Sequence, residues 1–132
     1  MTHRIVEGEW LRTRFTDAPQ FTVRGSVDED VDVDVDLRYP ATGAHQGKPA
    51  ATAHLVFHST VEFRWVAFDA AHFPYSPEDT GFRLIELVPS DLVSELAATA
   101  GASPSELHHF RIGFDNYGYF DIVCRRLRAS KD

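Results

Sequence analysis

A single cysteine in 132 residues, Cys124, excludes an internal disulfide and suits a reducing compartment, the cytoplasm. No apolar run approaches the roughly 20 residues a membrane span needs. The opening residues, Met1-Thr2-His3-Arg4-Ile5, lack the apolar stretch of a secretory signal. Positive charge is in short supply, with 13 bases against 20 acids and a net charge of −7. That balance disfavours binding nucleic acid or anionic lipid through a general positive field. Catalytic signatures are missing as well: there is no G-x-S-x-G, no P-loop, no G-x-G-x-x-G, no H-E-x-x-H and no cysteine pair. The expectation is a chain with no cofactor, no metal and no spacing that selects a catalytic residue.

What is present is an ordinary globular composition, 43% apolar and 25% charged, which argues against disorder and for one domain over residues 1–132. Its acids are unevenly placed. Asp28, Asp30, Asp32, Asp34 and Asp36 alternate with Glu29, Val31, Val33, Val35 and Leu37, so that residues 28–36 hold six of the twenty acids and no base. A strand sends successive side chains to opposite faces. The segment therefore turns valines to a core and a ladder of carboxylates outward, about 6.6–6.8 Å apart. Charges at ~7 Å repel by roughly 0.6 kcal/mol in bulk water and about four times that at an effective dielectric near 20. Cross-strand bases, Arg64 or the C-terminal Arg125, Arg126 and Arg128, are available to offset this. Left uncompensated, the ladder calls for a basic partner. Its spacing does not reproduce the ~3.4 Å phosphate repeat of a DNA strand. The extended, glycine-free segment does not suit calcium either, which takes six to eight oxygens from a flexible loop.

Alternation dominates elsewhere. Strands are expected over residues 5–15, over 21–39 with a break at Gly25-Ser26, over 53–57 and 61–67 on either side of Ser59, and over 82–87. Residues 107–114 and 119–127 read as a hairpin closed by Asp115-Asn116-Tyr117-Gly118. Residues 40–49 and 70–81 read as loops. One helix follows Ser90 as cap, presents Leu92, Val93 and Leu96, and stops at Gly101. The fold class expected is α+β: a mostly antiparallel sheet of six to eight strands with one amphipathic helix packed on it.

Seven histidines invite a metal reading, but His54 and His58 on one strand would stand over ~13 Å apart, too far to share an ion. An alternative to the ladder is a small-molecule-binding or enzymatic pocket between sheet and helix, aromatic-lined, with His58, Glu62, Trp65 and His109 in it. A homodimer formed through a sheet edge is a further reading.

Two stretches carry a resemblance. They are His108-His109-Phe110-Arg111-Ile112-Gly113-Phe114-Asp115-Asn116-Tyr117-Gly118-Tyr119-Phe120-Asp121-Ile122-Val123 and Leu55-Val56-Phe57-His58-Ser59-Thr60-Val61-Glu62-Phe63-Arg64-Trp65. The first resembles the terminal hairpin, and the second the central strands, of small bacterial immunity proteins of polymorphic-toxin systems. The likeness covers about the C-terminal two-thirds. It implies a non-enzymatic binder of a toxin domain, many of which are basic nucleases. The expected function is a protein that engages a basic protein partner through Asp28, Asp30, Asp32, Asp34 and Asp36.

Overall fold

The computed structural model describes residues 3–5, 19–25, 30–39, 51–66, 84–114 and 118–131. The strand expected around Trp10, the loops at 40–49 and 70–81, the turn residues 115–117 and Asp28 lie outside them. Among the described residues the chain forms β1 (His3–Ile5), β2 (Gln20–Arg24), β3 (Asp32–Tyr39), β4 (Ala51–His58), β5 (Glu62–Val66) and β6 (Leu84–Leu87). Helix α1 (Asp91–Ala100) and a 3-10 turn (Pro104–Glu106) follow, then β7 (His108–Phe114), β8 (Gly118–Cys124) and β9 (Arg126–Lys131). The class is α+β, mostly antiparallel sheet with one helix, as the sequence pattern implied. These strands divide into a five-stranded sheet, β1-β6-β7-β8-β5, and a four-stranded sheet, β2-β3-β4-β9. Every neighbouring pair is antiparallel.

Alternation explains how the sheets meet. Val33, Val35 and Leu37 on β3, with Ala53, Leu55 and Phe57 on β4, are buried against Leu84, Phe110, Ile112, Phe114, Ile122 and Cys124 of the other sheet. Each fully buried aliphatic or phenylalanine side chain here contributes roughly 1.5–3 kcal/mol by leaving water. Phe21 closes one flank, its ring 4.3 Å from Phe120 and 5.2 Å from Phe63. Burial pushes the Cys124 thiol up to about 12, so it sits in this layer as an inert apolar group.

The sheets are joined by one continuous antiparallel ribbon. β4 passes into β5 through Ser59, Thr60 and Val61, and β8 passes into β9 at Arg125. Hydrogen bonds span the bend: Arg125 N–H donates to the His58 carbonyl (3.0 Å) and Val61 N–H to that of Val123 (2.8 Å). Ser59 adopts φ 53°, which lets the first strand turn the corner. The second strand turns where the doublet Arg125-Arg126 interrupts alternation, so residues 119–127, expected as one strand, serve both sheets.

Helix α1 covers the outer face of the five-stranded sheet, burying Val93 and Ala97 against Leu107 and Val123. Ser90 caps it by accepting from Val93 N–H at 3.2 Å. Gly101 ends it at φ 68°, a left-handed conformation that costs glycine nothing. No helix among the described residues is long and apolar enough to cross a membrane.

Candidate functional site

Helix α1 lies on the five-stranded sheet, so the outer face of the four-stranded sheet carries the side chains that alternate with its buried ones. Register arranges them in rows. Thr22, Asp34, Val56 and Arg128 are cross-strand partners in one, and Gln20, Asp36, His54 and Ser130 in another. Arg24 opposes Asp32, and His58 opposes Arg126. The aspartate ladder is thus real over Asp32, Asp34 and Asp36, with Asp30 just ahead of the strand.

The ladder has partners in its own chain. Arg24 grips Asp34 with Nη2 and Nε, both at 2.9 Å, and reaches Asp32 at 3.9 Å. His54 Nδ1 lies 2.8 Å from Asp36 Oδ1, and His58 Nδ1 lies 3.3 Å from Asp32 Oδ2. The compensating base is therefore Arg24; Arg64, expected as a candidate, lies in the five-stranded sheet, opposite Asp121, which it approaches at 3.7 Å. One guanidinium serves two carboxylates, and the two imidazoles hydrogen-bond to Asp36 and Asp32. The acidic character of the column is reduced, not abolished. Arg126 and Arg128 stand across β4, roughly 10 Å away at two strand spacings.

The four carboxylates do different jobs. Asp32 accepts from the Ser59 backbone N–H at 3.1 Å, and Asp30 from the Ser59 hydroxyl at 3.0 Å, so both clasp the ribbon corner. The Ser59 N–H, ahead of the opposing effect of burial, holds the Asp32 carboxyl below its usual range, with His58 and Arg24 adding to it. Asp34 and Asp36 remain 30% and 44% exposed and do not touch the corner.

The alternative pocket residues do not converge. His58 lies on the outer face of the four-stranded sheet, and its Nε2 is buried with no hydrogen-bond partner. Glu62 is paired in register with Val123, on the helix side of the other sheet. Trp65 is paired with Phe120 and is 56% exposed. His109 lines a cleft of about 420 Å³ beside the start of α1, and His58, Glu62 and Trp65 are not among the residues that line it. Around it stand Glu86, Ser90, Ser94, Ser105 and His108.

His109 belongs to a buried relay that residue spacing did not reveal. Its Nδ1 lies 2.8 Å from Ser90 Oγ and its Nε2 lies 3.0 Å from Asp121 Oδ1. Arg111 donates to both Asp121 oxygens, at 2.8 and 3.2 Å. Burial pushes the Asp121 carboxyl up, but hydrogen bonds from His109 and Arg111 and the Arg111 charge outweigh it and hold it below its ordinary value. Nearby, His108 Nδ1 lies 2.6 Å from the buried Glu86 carboxylate. The register that could have exposed the relay pairs Arg111 with Asp121 and His109 with Val123, which sets His109 diagonal to Asp121 on one sheet face. No group of three or more potential metal ligands occurs among the described residues.

No family model, no curated protein and no solved structure matches this chain.

Proposed function

We propose that the chain is a binding protein that meets a basic protein partner with the acid column on the outer face of its four-stranded sheet. A toxin domain neutralised by an immunity protein is the form of this reading that the resemblance of residues 55–65 and 108–123 favours. One observation supports it above the rest: of Asp30, Asp32, Asp34 and Asp36, only Asp34 and Asp32 meet a guanidinium among the described residues, and it is the single one of Arg24. Excess negative charge on an open face steers encounter with a cationic surface and fixes its register. The contact falls on Asp34 and Asp36, because Asp32 and Asp30 are committed to Ser59. Rim charges of this kind act chiefly on association rate.

The test is affinity capture from the native host, followed by association kinetics of the captured partner at several salt concentrations. A double variant, Asp34→Lys with Asp36→Lys, is expected to associate about tenfold more slowly at low salt and to lose most of its salt dependence. A captured partner that is acidic, or association rates that the double variant leaves unchanged, would remove the column from the interface.

A further inference from the structure

The buried relay on the opposite side of the molecule is more than a helix cap. Capping α1 requires only that Ser90 Oγ accept from Val93 N–H, at 3.2 Å. It does not require an imidazole that is 4% exposed or a carboxylate that is 1% exposed behind it. Burying such groups carries a desolvation cost that a well-packed apolar pair would avoid. The relay also ends at a hydroxyl that lines a cleft, of a size suited to a small ligand.

Hydrogen-bond direction follows from the partners. The Asp121 carboxylate can only accept, so His109 Nε2 carries the proton and His109 Nδ1 presents its lone pair. Ser90 Oγ already accepts from Val93, so its own proton points to His109 Nδ1 at 2.8 Å. Ser90 is thereby a hydroxyl with a general base in contact, and the base is oriented by a carboxylate. That is the constellation of an activated nucleophile. Arg111, on both oxygens of Asp121, is a positioning residue that fixes the carboxylate.

We propose that Ser90, His109 and Asp121 form a nucleophilic centre that hydrolyses small esters with short apolar acyl groups. Leu87, Val93 and Leu107 supply the apolar part of the cleft. As Ser90 Oγ bonds to the ester carbonyl carbon, its proton passes to His109 Nδ1 and the carbonyl π pair moves onto oxygen. Ser90 is the N-cap of α1, and the positive end of that helix favours the negative charge. Collapse of the tetrahedral adduct breaks the bond to the alkoxy group, which takes the proton from His109 Nδ1 and leaves as an alcohol. Water then adds to the acyl-Ser90 ester, with His109 accepting its proton, and collapse releases the acid and restores the Ser90 hydroxyl. Ester and water become acid and alcohol. Because Arg111 offsets part of the Asp121 charge, turnover is slow, and covalent labelling is a more sensitive readout than steady-state rate.

The experiment treats the intact chain with a fluorophosphonate and maps the adduct by peptide mass, alongside hydrolysis of p-nitrophenyl butyrate. The expected result is one adduct, on Ser90, formed about 10²-fold or more slowly in His109→Gln. Ser90→Gly, which keeps a residue that helix caps accept, is expected to abolish both labelling and hydrolysis. The adduct site on the unsubstituted chain decides the matter even where a variant fails to fold. A folded chain that takes no adduct, or takes it on another residue, would overturn the proposal.

Discussion

Asp121 and Asp34 are each gripped by two nitrogens of one arginine, Arg111 and Arg24, yet they lie in opposite surroundings. Asp121 is 1% exposed on the helix-bearing side of the five-stranded sheet, and among the described residues its other ionic partners are His109 and Arg64. Asp34 is 30% exposed on an open sheet, and Arg24 beside it is 55% exposed. The chemistry is alike, but water is not. A buried carboxylate stripped of its partners has no water to replace them. An exposed pair is exchanged for solvent at a cost of about 0–1 kcal/mol. The same pairing therefore fixes architecture in one place and leaves a surface available for recognition in the other.

The contrast can be broken most directly at Asp121. Asp121→Ala is expected to cost about 3–5 kcal/mol in urea unfolding, because it removes a buried carboxylate that Arg111 holds and leaves the buried His109 Nε2 without its acceptor. A loss under about 1 kcal/mol would mean that the buried cluster is no anchor. Acid sharpens the same point. Asp121 and Asp32 both titrate below their ordinary values, so their stabilising effect is complete above about pH 4 and is lost as pH falls through the folded-state values. Unfolding free energy measured from pH 5 downward is expected to fall steeply in the parent chain and less steeply in Asp121→Asn. A smaller effect is expected at the ribbon corner, where Asp32→Ala removes the acceptor of the Ser59 N–H at a cost of about 1–2 kcal/mol. The smallest is at Asp34→Asn, within about 0.5 kcal/mol by the same unfolding measurement.

Much of the scaffold could be read from the chain. Ser90 and Gly101 mark the helix because each supplies what a helix end lacks, an acceptor for free N–H groups and a residue content at positive φ. The break after Arg24 follows from Gly25, at φ 114°, where an added Cβ would stand 2.4 Å from the Asp30 carbonyl oxygen. The valine side of the ladder is buried as alternation required, and β7 pairs with β8 as the hairpin reading required. The division into two sheets was harder to see, since alternation says which face a residue takes and not which sheet the face belongs to. The doublet Arg125-Arg126 was the available signal.

The candidate sites were legible unequally for the same reason. A ladder on one strand is a local pattern, so Asp32, Asp34 and Asp36 could be placed, but their neutraliser Arg24 depends on the register of β2 against β3. The Ser90, His109 and Asp121 relay joins a helix cap to two strands, and it depends on a hairpin register in which Phe114 opposes Gly118. Shifting that register by one residue would set Arg111 against Ile122 and separate every member of the cluster.

One feature governs how the molecule comes apart. Since β4 continues into β5 and β8 into β9, two lengths of chain are common property of both sheets, stitched across the bend by Arg125 to His58 and Val61 to Val123. Neither sheet can detach without unzipping backbone bonds that the other relies on. Loss of structure is therefore all-or-none rather than layer by layer, and hydrogen-exchange protection should collapse in β3 and in β7 at the same denaturant concentration.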